Sequence, residues 1–490
     1  MAEIARQWCW GREQLSTVHE GKVYVTGGLV TESTTTLSRA EHRFSNPDLL
    51  VFDFTTPVPA PGIPPIKKIP LPVTAIPVLS GGAFWSLGKA ADKLLLSHGG
   101  LSYYRPPSST NHSHFPPSTR NQPNGRVFEY DVSANSWAMD KARTASGEDM
   151  ISVQKASAVY GKKAGKGFAL GGWMGEQEYE GEDGTLQYSN KGAKKTWFNK
   201  LLIFDSKTGT WANDTTTFER TESGTLNVLE NVGREGALVF VGGMNAGGPA
   251  NERPISRVQI YDIAEKRWYD QPTTASNGFF PPNRDSHCSV LASSPDGSSH
   301  NIYIFGGLRP GKPPRREESG RYFWVLSIPA FHWSQITITG GDHEGRVGHS
   351  CESLGKRGRY MFLFAGDIWK GTNQNCDLSR SGGQLFDLTT GEWGPAFDPE
   401  KAYEVSKEIY DSIGGNAKGG AKMVKPRDGF SDPSLERLFQ NTSPSTSTQV
   451  PNPAPSEPMN LSSGSHSKGL QAGAVAGVEE KRTAREPFGL

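Results

Sequence analysis

Short apolar runs separated by glycine and polar turns mark most of the chain, and the stretch from Arg284 to Trp333 shows the pattern at its clearest. It holds Arg284-Asp-Ser-His287, the run Ile302-Tyr-Ile-Phe305, the pair Gly306-Gly307, a second run Tyr322-Phe-Trp-Val-Leu326, and Trp333 beyond it. Apolar runs this short, bounded by turn residues and rich in β-branched and aromatic side chains, predict strands buried on both faces. A four-stranded antiparallel sheet of this kind cannot cover both faces alone and must pack between copies of itself.

The copies are visible. Gly27-Gly28 follows Val23-Tyr-Val, Gly99-Gly100 follows Leu94-Leu-Leu, Gly171-Gly172 follows Phe168-Ala-Leu, and Gly242-Gly243 follows Leu238-Val-Phe-Val. Tyr360 to Phe364 precedes a degenerate pair, Ala365-Gly366. A later run in most units ends in an aromatic residue and Asp: Phe52-Asp53, Tyr130-Asp131, Phe204-Asp205, Tyr261-Asp262 and Phe386-Asp387. Trp137, Trp211, Trp268 and Trp393 each stand six residues beyond such an Asp. Six units in register predict a closed toroid of sheets, a β-propeller.

These units resemble the kelch repeat across roughly residues 8 to 398. In that repeat the glycines allow a close turn after the second strand, and the aromatic and Trp residues fill the wedge between neighbouring sheets. Unit one departs from the pattern, with the Pro-rich Thr56 to Pro77 in place of a tryptophan, and so does unit five, with Leu326-Ser327 in place of aromatic-Asp. The fold class expected is all-β, a six-bladed kelch-type β-propeller with a short C-terminal helix and a disordered tail. The first strand is expected from Trp10 to Val18. The domains expected are the propeller over 1–398, a docking helix and Gly-rich extension over 399–425, and a disordered Ser/Thr/Pro-rich tail over 426–490.

Composition narrows the picture. With 35% hydrophobic residues, 57 Gly and 34 Pro in 490 residues, the chain suits short strands and many turns. A formal net charge of +1 without a stripe of Lys and Arg argues against phosphate-tracking, non-specific nucleic-acid binding. The four cysteines, Cys9, Cys288, Cys351 and Cys376, form no CxxC pair and are expected as buried thiols. Cys288 lies one residue after His287 and Cys351 two after His349, so on matched strands their side chains point opposite ways and no disulfide between them is expected.

After Trp393, Asp398 suits a helix N-cap, Pro399 the first helical position, and Ala402, Val405, Ile409 and Ile413 recur at helical spacing before Gly414. The run Tyr403-Glu-Val405, Ile413-Gly-Gly415 and Gly419-Gly-Ala421 also resembles the segment after the propeller in a group of fungal kelch-repeat proteins. That resemblance implies a signal peptide, a Ser/Thr-rich stalk and a membrane anchor. Asn441 to Ser467 and Gly469 to Gly477 resemble the stalk and the start of the span, but Glu479-Glu-Lys-Arg482 interrupts it, and the N-terminus lacks a signal shape. A cytoplasmic protein with no membrane span is expected, or a secreted or anchored one if the gene's true start lies upstream. Sequons at Asn111, Asn213, Asn441 and Asn460 carry little weight without a signal.

Motifs for chemistry are sparse. No GxSxG, Walker loop, HExxH or helix-opening GxGxxG occurs, so no catalytic residue is assigned and neither cofactor nor metal is expected. His112-Ser-His114 has ligand spacing but no third donor nearby. The insertions after each glycine pair should share one face, the acidic one with Glu176, Glu178, Glu180, Glu182 and Asp183, the basic one with Arg309, Lys312, Arg315, Arg316 and Arg321. Binding candidates at the starts of inner strands are Arg12, Arg284, His287, Arg346 and His349, with His98 beside Gly99, able to meet an anion or acidic peptide. The function expected is a monomeric, non-catalytic scaffold that binds a protein or small molecule on the loop face. The alternative implied by the fungal resemblance is an enzyme or accessory protein of secondary metabolism, with a small molecule at the channel mouth.

Overall fold

The computed structural model describes residues 8–32, 43–72, 76, 78–97, 100–101, 126–141, 143–144, 153–175, 195–246, 252–309, 322–338, 345–368 and 382–440. Six sheets, each with a core of four antiparallel strands, follow one another along the chain; in the third and fifth a two-residue segment, Arg143–Thr144 and Thr274–Ala275, adds a parallel fifth strand at the outer edge. Each takes its four core strands in chain order from the channel outward, with short strands of separate small sheets between the second and third in most blades.

Blade 1 comprises Leu15–His19, Lys22–Thr26, Asp48–Asp53 and Ile66–Pro70, and blade 2 Ala83–Ser86, Lys93–Ser97, Arg126–Asp131 and Ser136–Lys141. Blade 3 comprises Ser157–Gly161, Lys166–Leu170, Lys200–Asp205 and Thr210–Thr215, and blade 4 Thr225–Leu229, Ala237–Val241, Arg257–Asp262 and Arg267–Pro272. Blade 5 comprises Cys288–Ser293, His300–Phe305, Tyr322–Ile328 and His332–Thr337, and blade 6 Ser350–Leu354, Tyr360–Phe364, Gly383–Asp387 and Glu392–Trp393. The expected first strand is in fact two, Trp8–Arg12 and Leu15–His19, because Glu13 between them turns left-handed at φ 60°.

The aromatic–Asp–Trp pattern has a local cause. Tyr130, Phe204, Tyr261 and Phe386 sit directly across the third and fourth strands from Trp137, Trp211, Trp268 and Trp393. Their ring centroids lie 5.1, 5.0, 4.8 and 4.9 Å apart, a cross-strand contact that stabilises the pair. The Asp carboxylate then accepts backbone N–H groups of the hairpin that follows, as Asp205 does from Lys207 and Thr208, and Asp387 from Thr389 and Thr390. That is the Asx-turn for which Asp is suited. Blade 5 keeps the cross-strand contact through Leu326 and the fully buried Trp333. In blade 1, Phe52 faces Ile66 and the outer strand stays largely exposed.

The core is divided into six hydrophobic clusters, one at each seam between neighbouring blades, including the seam between blades 6 and 1. Middle strands are therefore buried on both faces, as in Ala237–Val241, where every residue is buried.

The C-terminal helix begins later than its spacing predicts. Helix α1 is Lys407–Ile413, with Ser406 rather than Asp398 at the N-cap position and no capping bond from its side chain. Residues 402–405 are extended because their backbone is bonded elsewhere: Tyr403 N–H donates to Lys356 O at 2.9 Å and Val405 N–H to Ala417 O at 2.9 Å. A second helix, α2 (Pro433–Gln440), lies in the stretch assigned to the tail, with Leu435, Leu438 and Phe439 buried at the seam of blades 4 and 5. Ile409 and Ile413 of α1 fill the seam of blades 5 and 6.

Candidate functional site

Each inner strand is preceded by one residue with positive φ: Glu13 (60°), Gly81 (59°), Lys155 (55°), Ser223 (57°), Ser286 (53°) and Gly348 (64°). Their backbones form a closed ring. Gly81 N–H donates to Glu13 O (3.2 Å), Lys155 to Gly81 (2.9 Å), Ser223 to Lys155 (3.0 Å), Ser286 to Ser223 (2.8 Å), Gly348 to Ser286 (2.9 Å), and Glu13 to Gly348 (2.9 Å). The left-handed turn costs a non-glycine residue about 1 kcal/mol, and four of the six positions bear that cost. The collar it creates links every blade to the next at one end of the channel.

The paired glycines supply a second tier. The later glycine donates to the residue two places before the collar residue of the next blade: Gly28 to Leu79 (2.8 Å), Gly172 to Thr221 (2.7 Å), Gly243 to Arg284 (2.9 Å), Gly307 to Arg346 (2.8 Å) and Gly366 to Gly11 (2.9 Å). The earlier glycine makes the approach possible. A Cβ on Gly27 would meet Leu79 O at 1.9 Å, and one on Gly306 would meet Arg346 O at 2.3 Å and the His349 ring at 2.5 Å.

This arrangement explains the Arg-x-x-His stretches. Arg284 is only 3% exposed and Arg346 only 2%. The guanidinium of Arg284 donates to Gly306 O (3.0 Å) and Pro282 O (3.2 Å), and that of Arg346 to Ala365 O (2.6 Å). Both cations are turned to backbone carbonyls and support the glycine turns. His287 and His349 are buried against glycines of the preceding blade, Gly242 and Gly306. Arg12 lies on the strand Trp8–Arg12 opposite Leu29, with its side chain outside the described residues. His98, His112 and His114, and the acidic insertion from Glu176 to Asp183, also fall outside them, as does the basic insertion apart from Arg309.

Under the collar the channel holds a cavity of about 240 Å³, walled by the first residues of all six inner strands. Bonds between blades brace this wall. Ser16 Oγ donates to Glu352 Oε1 (2.6 Å), Ser157 Oγ to Gly224 O (2.8 Å) and Ser289 Oγ to Asn227 Oδ1 (3.1 Å), and Thr225 Oγ1 is 3.3 Å from His287 Nε2. Burial and then the Arg284 charge hold His287 down to about 3, and burial with Arg346 does the same for His349, so both imidazoles are neutral near pH 7. Burial pushes the Glu352 carboxyl up to about 7, against the lowering pull of the Ser16 hydroxyl and of Lys162. Nothing in the sequence around Ser350-Cys-Glu-Ser353 marked Glu352 for this place.

Cys288 and Cys351 also line the cavity, and they form a disulfide, contrary to expectation, with Cα atoms 5.9 Å apart. The parity argument fails because the two strands belong to different sheets. Blade 5 shows blade 6 one face, with Cys288, Val290 and Ala292, and blade 6 answers with its opposite face, so residues of opposite parity meet. The side chains of Cys9 and Cys376 lie outside the described residues.

Six four-stranded blades about a closed channel define a six-bladed β-propeller, built here of kelch-type units. No protein-family profile matches the chain. It is similar to a Kelch repeat-containing protein of Arthroderma benhamiae (strain ATCC MYA-4681 / CBS 112371), 25% identical over 532 aligned positions that span 97% of this chain and 73% of the relative. Among the described residues, no helix is long and apolar enough to cross a membrane.

Proposed function

We propose that the chain is a non-catalytic binding propeller that recognises a protein or a small ligand through the insertions on its collar face. The observation that carries this reading is how the insertions are rooted. Each begins in a short antiparallel pairing with the segment that leads into the collar: Leu29–Glu32 on Trp8–Arg12, Gly100–Leu101 on Leu79–Ser80, Met244–Asn245 on Thr221–Glu222, Asp367–Ile368 on Arg346–Val347. Single bridges, Gln154 with Trp173 and Asp285 with Leu308, do the same for the remaining two. Variable segments on a rigid frame are the usual place of recognition. The test replaces residues 176–194 and 310–321 with short Gly-Ser linkers and measures capture of a partner from the native source. Loss of capture with an unchanged melting temperature is expected, and full capture by both variants would contradict the reading.

We also propose that the protein works in an oxidising compartment. The Cys288–Cys351 bridge supports this, since such bridges persist where thiols are not kept reduced. Asn213, in the sequon Asn213-Asp214-Thr215, is exposed on the outer strand of blade 3. Protein taken from its source under alkylating conditions should have Cys288 and Cys351 unlabelled and Asn213 glycosylated. Two labelled thiols with a bare Asn213 would place it in a reducing compartment.

A further inference from the structure

The cavity beneath the collar is walled by a distinct set of charged and polar groups. Among the residues that wall it, Glu352 is the one carboxylate, and no Lys or Arg belongs to the wall. The same wall carries hydroxyls from five blades, Ser16, Ser157, Thr225, Ser289 and Ser350, of which Ser16 is bonded to the carboxylate, and two neutral imidazoles. Ser350 Oγ and His287 Nδ1 are buried without a hydrogen-bond partner. Leu15, Phe84, Leu226 and the disulfide supply apolar surface beside these groups.

We propose that this cavity binds a small organic cation, an alkylammonium or guanidinium compound, with its charged head on Glu352 and its methylene stem against the apolar part of the wall. The reading goes beyond recognition by the insertions, because it concerns the channel and not the loops. A carboxylate drawn out of water without a partner cation is costly to ionise, and a bound ammonium removes that cost while its N–H groups donate to the hydroxyl oxygens nearby. The chemistry selects against a divalent metal ion. One carboxylate among hydroxyls is a poor donor set for it, and among the described residues no group of three His, Cys, Asp or Glu could hold one.

One charged group acts on Glu352, and other titratable groups stand at the cavity wall or the collar. Lys162, on the hairpin of blade 3, is the cation acting on the carboxylate. His349 on its own blade and His287 on blade 5 are neutral, and at the collar Glu13 is paired with Lys155 at 3.9 Å. The carboxylate is therefore the group whose ionisation near neutrality governs a cation's affinity.

The experiment is calorimetric titration of the full chain at pH 8 with 1,4-diaminobutane and with agmatine, using 1,4-butanediol as the neutral control. Both amines should bind at one site and the diol should not. Lowering the pH from 8 to 6 should weaken the amines roughly tenfold, as Glu352 takes up a proton while the ligands stay charged. Glu352→Gln, matched in shape, should weaken them at least about tenfold. Should that variant misfold, the His349 ring resonances of the unaltered protein serve instead, and they should shift on addition of amine and not of diol. Equal binding of the diol, undiminished binding by Glu352→Gln, or no binding and no shift at about 10 mM amine would overturn the proposal.

Discussion

Blade 6 has two seams, and they are held in different ways. Toward blade 5 it is joined by the Cys288–Cys351 bridge, by rings of Phe323 and Phe386 stacked at 4.2 Å, and by α1 lying over the outer edge. Toward blade 1, where the two ends of the repeat array meet, no covalent link is present among the described residues. There the Phe52 and Phe54 rings pack on Phe362 at 4.8 and 5.3 Å, Val58 and Phe397 exchange backbone bonds of 3.0 and 2.8 Å, and Ser16 meets Glu352. Neither terminal blade borrows a strand from the other. The collar and the glycine tier run unbroken through both seams. A ring can thus be closed by repeating the same backbone contacts once more, with aromatic packing where chain continuity is lacking.

The largest effect is expected at the closing seam. Phe362 is 1% exposed, and Phe362→Ala should cost about 4–5 kcal/mol, read as a fall in the denaturant midpoint. Removing the bridge at the other seam, as Cys288→Ser with Cys351→Ser, should cost about 3–4 kcal/mol for a loop of this length and leave the fold intact. If the bridge proves dispensable while Phe362→Ala unfolds the protein, the two seams differ even more than the structure suggests.

The smallest effect depends on pH. The Glu352 carboxyl lies at about 7 in the folded state against 4.5 as a free side chain, so the folded protein binds the extra proton between those values. Stability contributed by this group is therefore present at low pH and is lost as pH rises through 7. Glu352→Gln should consequently be more stable than the parent by about 2 kcal/mol at pH 8 and equal to it near pH 4. A variant no more stable at pH 8 would mean that the carboxylate is better solvated than its burial implies. The buried histidines act in the opposite sense. His287 and His349, held down to about 3, are stabilising as neutral rings, and that contribution is lost as pH falls from about 6.5 toward 3.

The repeat was legible because its signals are chemical. Glycine pairs mark places where a Cβ would strike the next blade, Asp marks a capped hairpin, and Trp sits across from an aromatic. Six blades followed from those residues alone. The collar was not legible, because Glu13, Gly81, Lys155, Ser223, Ser286 and Gly348 share a backbone conformation and no residue type. Arg284 and Arg346 stand out in the sequence as candidate anion ligands, but their guanidinium groups donate to backbone carbonyls, contacts that a residue pattern does not display. The start of α1 was misplaced because an extended segment and a helix bury Val405, Ile409 and Ile413 at the same seam, so the apolar spacing runs through both. The disulfide was missed by reasoning within one sheet about residues that meet between two.

Closure by the collar is best tested by native-state hydrogen exchange of its six amides. All six should exchange only through global unfolding, with one common free energy of opening, and the Glu13 amide, bonded across the seam of blades 6 and 1, should be as slow as the Gly348 amide bonded across the bridged seam. Exchange of the Glu13 amide orders of magnitude faster than the other five would show that the ring opens at its closing seam and that the collar does not hold it.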